Sequence, residues 1–170
     1  MTIEDKQRCK WANVSPEMSV YHDEEWGVPP ADDDAYFESL TLEIFEAGLN
    51  WTLIFNKREG FRAAFDGFAV EAVAEYSDDD VERIMASPDI VRNRRKIVAS
   101  IANAQRFREL QIENGSFRDW LEGLEGDEPA LIAELRKQFK FAGPSVSRSF
   151  LHDVGRTPEP HYPECWKSAV

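Results

Sequence analysis

The run DDDAYFESLTLEIFEAG, residues 32–48, decides the fold class. Three aspartates open it, and their side chains and charges suit the positive end of a helix, where free amides point outward. Phe37, Leu40, Ile44 and Ala47 then recur at three- and four-residue intervals, which makes one apolar stripe on a helix over 33–47. Gly48 supplies a natural stop. At 100° per residue, Glu43 falls at the border of that stripe, while Glu38 and Glu46 fall on the opposite, solvated side. A carboxylate at an apolar border meets partial burial, the setting in which a carboxyl group acquires a functional pKa. Many purely structural glutamates occupy such borders too.

The same period continues along the chain. Helices are expected over 59–65, 70–76, 81–86, 94–110, 117–124 and 130–139, with a last one opening at 142–145 and running to about 154. Asp78-Asp79-Asp80 and Ser116 offer caps, and Ser87-Pro88-Asp89 and Asn114-Gly115 are breaks. Apolar–polar alternation is nearly absent, as are internal repeats. The expected class is therefore all-α, as a single domain over 1–170. The stretch 155–170 contains three prolines and is ordered only if something pins it.

A chain of 170 residues that is 42% hydrophobic and 12% aromatic folds into a globule, with rings to spare for a pocket. Its net charge of −12 argues against indiscriminate polyanion binding. The distribution is uneven, however. Residues 1–85 carry 7 basic and 20 acidic side chains, whereas 86–170 carry 13 and 12. A polyanion could dock on the second half. No apolar run approaches the roughly 20 residues needed to cross a bilayer. The polar start, residues 1–6, lacks the apolar region of a signal peptide, so a cytoplasmic protein without membrane attachment is expected.

Two constellations stand apart from the core pattern. Cys9, His22, His161 and Cys165 use both cysteines and two of the three histidines. Two thiolates and two imidazoles form a closed tetrahedral set suited to a structural zinc, and such a site would tie the proline-rich tail to the N-terminal segment. The alternative is two buried thiols and two surface imidazoles. His152, on an apolar helical stretch, reads as structural. The second constellation is PDIVRNRRKI, residues 88–97, a tight turn with Arg92, Arg94, Arg95 and Lys96 at the start of a helix. Turn amides and a helix N-terminus bind phosphate, which is the logic of a helix-hairpin-helix, although the usual glycines are missing. A charged connector is the other reading. Residues 142–145, with Lys140 and Gly143, are a second, weaker phosphate seat. Nucleophile-elbow, Walker, zinc-protease and dinucleotide motifs are all missing.

These residues also carry a resemblance. RCKW (8–11), YHDEEWGVP (21–29), LEIFEAGLNW (42–51), KRE (57–59), IVRNR (90–94), FKFAGP (139–144) and the His161–Cys165 pair follow in order the pattern of the 3-methyladenine DNA glycosylase I family. The chain resembles that family from Arg8 to about Cys165. The resemblance implies a helix-hairpin-helix glycosylase fold, a structural zinc on Cys9, His22, His161 and Cys165, and hydrolysis of the N-glycosidic bond of 3-methyladenine without strand cleavage. It also implies that Glu43, Tyr21 and Trp51 line the base pocket, with Trp26 nearby. The expected partner is double-stranded DNA containing alkylated adenine, bound by a monomer that requires no protein partner. Departures from the family pattern fall at Met18, Ile44, Phe45 and Asn50, where the family usually has Tyr, Gly, Gln and Ser. The segment between Trp120 and Phe139 is short as well. Met18 and Phe45 thereby join the candidate substrate contacts, and bulk beside Glu43 is expected to reshape the pocket. The rival reading is a member of the family that binds lesions silently or with altered specificity.

Overall fold

The computed structural model describes residues 6–158 and 161–168; expectations about residues 1–5, 159–160 and 169–170 lie outside them. Among the described residues every regular element is helical. Two compact units form, one from Met1–Pro29 with Leu151–Val170 and the other from Pro30–Phe150.

The larger unit holds α2 (Asp33–Glu46), α3 (Trp51–Asn56), α4 (Arg58–Ala64), α5 (Val70–Ala74), α6 (Asp78–Met85), α7 (Arg94–Asn114), α8 (Phe117–Gly123), α9 (Glu128–Gln138) and most of α10 (Pro144–Asp153). The three aspartates that open α2 serve three different helices. Asp32 accepts from Ala35 N at 2.9 Å and caps α2 itself. Asp33 accepts from Phe117 N at 2.8 Å and Arg118 N at 3.2 Å, which satisfies the start of α8. Asp34 accepts from Val70 N at 2.9 Å at the start of α5. Free helix-terminal amides need such partners, and one acidic run supplies them across the unit.

The expected one-sided stripe on α2 is corrected. Tyr36, Phe37, Ser39, Leu40, Thr41, Leu42, Glu43, Ile44 and Phe45 are all buried, and Ala47 is exposed beyond the helix end. The reason is placement: α3, α5, α7 and α8 all pack against α2, so little of its circumference meets water. Glu38 does not reach the free solvent expected for it, since Arg58 and Arg62 hold its carboxylate at 2.9 Å each. Aromatic rings fill the rest of the core. Phe107 stacks on Phe117 at 4.0 Å and meets Phe37 edge-on at 5.3 Å.

Gly60 in α4 marks a close crossing. A Cβ there would lie 2.3 Å from the Asp89 carbonyl oxygen, so the 86–93 connection can press on α4 only where no side chain stands.

In the smaller unit a single helical turn (Lys10–Asn13) precedes α1 (Pro16–Val20), which widens directly into a π turn over Tyr21–Glu25. Ser15 caps α1 by accepting from Met18 N, and Trp26 N closes the wide turn on Tyr21 O at 2.9 Å. These elements and α3 are absent from the periodic reading. Five or six residues give too little repeat to see, although Ser15-Pro16 and Asn50 are recognisable start signals.

Candidate functional site

In the smaller unit, Cys9, His22, His161 and Cys165 converge so that one donor atom from each lies within 4.8 Å of the others. Sulfur–nitrogen separations are 3.5 Å for Cys9–His161, Cys165–His161 and Cys165–His22. A tetrahedral zinc with arms of about 2.3 Å to sulfur and 2.0–2.1 Å to nitrogen has sulfur–nitrogen edges of about 3.5 Å, so the donor set fits that ion. Burial lowers the pKa of both histidines, favouring the neutral imidazole that a metal requires.

An outer layer fixes these side chains. Asp23 holds His22 Nδ1 at 2.9 Å, which turns Nε2 towards the cluster. Burial alone would push the Asp23 carboxyl up. Hydrogen bonds from Arg8 (Nη2, 2.7 Å), His22 and Trp166 (Nε1, 3.1 Å) override it and hold the group below the usual carboxylate range. Sequence reasoning missed Asp23, whose signal was its position directly after a candidate ligand.

Trp26, expected near a base pocket, packs against this cluster. Its ring stacks on His22 at 5.7 Å and meets His161 at 4.8 Å and Trp11 at 5.0 Å, both edge-on. Met18 is buried, as is Tyr21, whose hydroxyl donates to Asp153 Oδ1 at 2.5 Å.

In the larger unit, Glu43 is 8% exposed near the end of α2. The chain turns immediately afterwards. Gly48 adopts φ +82°, a conformation open to glycine and costly for other residues, and Asn50 caps α3 by accepting from Leu53 N at 2.9 Å. Trp51 is therefore the first residue of α3, half-buried, with its ring 6.2 Å from Phe55. Asn50 in place of serine keeps the capping chemistry intact.

Lys96 anchors this turn. Its Nζ donates to Phe45 O at 3.2 Å and Ala47 O at 2.9 Å, placing an ammonium at the negative end of α2. Burial pushes its pKa down, with Glu46 acting in the opposite direction. Lys96 is thus withdrawn from the phosphate-binding set in which the sequence placed it. Lys96→Met retains the stem but leaves two carbonyls short of a donor. It is expected to destabilise the protein by about 2 kcal/mol in denaturant unfolding.

The remaining cations divide. Arg92, Arg94 and Arg95 are exposed, but Arg94 is paired with Glu82 at 2.5 Å. Arg95 lies 5.6 Å over the Phe141 ring, near exposed Lys140, around a shallow cavity of about 420 Å³ also lined by Val98. Phe141 sits in the five-residue connection 139–143 between α9 and α10 and has φ 58°, the left-handed value that hairpins usually give to glycine. Gly143 leaves space open around its backbone beside the start of α10. Helix, short hairpin and helix thus coincide at 139–144, where the sequence offered only its weaker candidate. Phe45 is fully buried against Phe61 at 4.8 Å and Phe65 at 6.3 Å, and Ile44 is equally enclosed, so both serve the core.

Among the described residues no helix is long and apolar enough to cross a membrane. A family model described as methyladenine glycosylase matches residues 11–132. DNA-3-methyladenine glycosylase 1 of Escherichia coli is 34% identical over 169 residues, covering 88% of this chain and 90% of that protein. A crystal structure of 3-methyladenine DNA glycosylase I superposes with a TM-score of 0.84 at 33% identity, covering 95% of this chain and 99% of the other. A tyrosine-to-phenylalanine variant of 3-methyladenine DNA glycosylase I, solved in complex with 3-methyladenine, superposes at 0.82 with 30% identity, covering 94% and 96%.

Proposed function

We propose that this chain, which belongs to the methyladenine glycosylase family, removes 3-methyladenine from alkylated DNA by hydrolysing its N-glycosidic bond. The observation that carries the reading is a buried carboxylate, Glu43, on a helix whose end and following turn are locked by Lys96, with the Trp51 indole opening the next helix.

Methylation at N3 makes the base a cation while it is still attached to the sugar, so the bond is weakened and the base leaves readily. Little general-acid power is needed. The enzyme has to take the nucleotide out of the stack and prefer a charged base to a neutral one. In this reading the Trp51 face attracts the cation, Glu43 accepts hydrogen bonds from the base edge and adds charge selectivity, and Tyr21 fixes orientation. Water bonds to C1′ of the sugar, the glycosidic electron pair passes to the departing base, and a proton is released. Lys96 Nζ is occupied by two carbonyls, which supports attack by water over Schiff-base chemistry and hence a monofunctional enzyme.

Arg92, Arg95, Lys140 and the Gly143 amide region are the proposed phosphate contacts, positioning double-stranded DNA without reading its sequence. Cys9, His22, His161 and Cys165 hold the proposed zinc, whose role is structural: it joins the two ends of the chain and supplies no reacting group. The protein acts as one glycosylase domain, a cytoplasmic monomer without an obligatory protein partner. The silent or altered-specificity alternative drew on the bulk of Ile44 and Phe45 and on the net charge of −12. Burial of both side chains in the core gives that bulk a packing role, which leaves the acidity as its support.

The test is release of methylated bases from DNA treated with a methylating agent, measured by chromatography. Wild type is expected to release 3-methyladenine. Trp51→Ala should do so about 30-fold more slowly, because a desolvated cation–π contact and its stacking surface are lost together. No release by the intact protein would end the enzymatic assignment.

A further inference from the structure

We infer that Phe141 is an apolar DNA contact: its ring takes the face of a deoxyribose, while Arg95 and Lys140 beside it take the phosphates that flank that sugar. The inference rests on the reading above, in which the 139–143 connection meets DNA. All the residues concerned belong to the larger unit.

Among the described residues, Asp66, Phe68 and Phe141 have left-handed backbones without being glycine. That conformation is costly beneath a bulky ring, and it persists only where the surroundings enforce it. Phe68 is fully buried, stacked on Phe65 at 5.5 Å, so the core accounts for its ring. Core packing does not account for Phe141, which is 44% exposed. Its backbone is nevertheless held on both sides. Buried Asn103 on α7 accepts from Lys140 N at 2.7 Å and donates from Nδ2 to Lys140 O at 3.1 Å. Ser147 Oγ donates to Ala142 O at 2.9 Å. Glycine would take this shape at less cost, so a half-exposed ring here has a use outside the fold.

The surroundings say what that use is. Arg95 lies 5.6 Å over the ring, Lys140 precedes it in the chain, and Val98, Ala99 and Ala102 line the same shallow cavity. Val98 is itself half exposed. Arg94 at the rim is neutralised by Glu82, whereas Arg95 and Lys140 have no carboxylate partner among the described residues. In a chain of net charge −12, two unneutralised cations around an apolar floor fit an occupant that is itself both anionic and apolar. A DNA strand has that character, because its phosphates alternate with the apolar faces of its sugars. Such a contact holds the strand without reading its sequence. An acidic protein segment would compete for the same two cations, whereas a DNA strand continues the interface they already belong to.

The experiment measures the Kd of the full-length protein for a duplex carrying a stable abasic analogue, over a series of salt concentrations. Phe141→Gly is expected to raise Kd about tenfold at every salt concentration, because apolar contact area is lost and no phosphate contact is. Its slope of log Kd against log salt should match that of wild type. Lys140→Ala should instead reduce that slope by about one. Phe141→Asn, which also tolerates the left-handed backbone, should behave as Phe141→Gly does. Both variants should melt within a few degrees of wild type, since the ring they lose is not a core ring. An unchanged Kd in both variants overturns the inference, and leaves the cavity to a protein partner, while base release by wild type still supports the glycosylase reading. A changed salt slope, or a melting midpoint lowered by more than about 10 °C, overturns it as well, because the ring would then act through the cations or the core. Failure of wild type to bind the duplex overturns the inference and the DNA reading together.

Discussion

Glu43→Gln is expected to lower kcat/KM for release of 3-methyladenine by about 100-fold, with the folded structure intact. Glutamine has nearly the same shape as glutamate, so the packing of α2 is preserved and only the negative charge goes. At the transition state the positive charge is shared between the departing base and the sugar. One buried carboxylate can favour that distribution over the stacked duplex from which the reaction starts. Such an interaction would be strong, because the side chain is 8% exposed and water screens it poorly. Thermal unfolding should stay within about 1 kcal/mol of wild type, which separates lost chemistry from lost fold. Wild-type rates in Glu43→Gln would show that the charge has no part in the reaction.

The second large effect concerns the Cys/His cluster. Purified protein is expected to contain about one zinc per chain, and Cys165→Ser almost none, by elemental analysis. The same substitution, or treatment with a strong chelator, should lower the unfolding midpoint by at least about 10 °C, because metal binding and folding of the smaller unit share one free energy. Two buried thiols beside two imidazoles, with no metal, behave differently. The chelator would then do nothing, and Cys165→Ser would cost little more than an ordinary core change. Metal-free wild type with an unaltered melting curve in chelator would dispose of the zinc assignment. Cys9→Ser provides an independent check from the other end of the chain, since it removes a ligand without touching the tail.

Legibility in the sequence followed the length of the physical signal. α7 was expected over 94–110 and runs to Asn114, because a long period is visible and Asn93 and Gly115 punctuate it. α2 was readable as a helix, but its burial on nearly all sides was not: periodicity reports one face, while neighbours decide how many faces are covered. Short elements such as α1 and α3 left only their caps. The four residues of the Cys/His cluster were legible as residue types, although their convergence rested on the family pattern until the 3.5 Å separations appeared. Lys96 misled because charge in a basic run suggests an exposed cation, whereas its ammonium is turned inward to two carbonyls. Asp153 was invisible as a partner of Tyr21, since nothing in a linear sequence says which carboxylate meets which phenol, whereas Asp23 had only its place beside His22 to mark it.

The clamp between Cys9 and His161 joins positions 152 residues apart, and Cys165 comes later still. Closing a loop of that length costs on the order of 5 kcal/mol in chain entropy before any contact rewards it. During synthesis the stretch from Pro30 to Phe150 leaves the ribosome, and can settle, before His161 and Cys165 emerge to meet Cys9 and His22. A premature stop ahead of His161 therefore deprives Cys9 and His22 of both partners in the cluster. Assembly of the Cys/His cluster comes after the larger unit can already have formed.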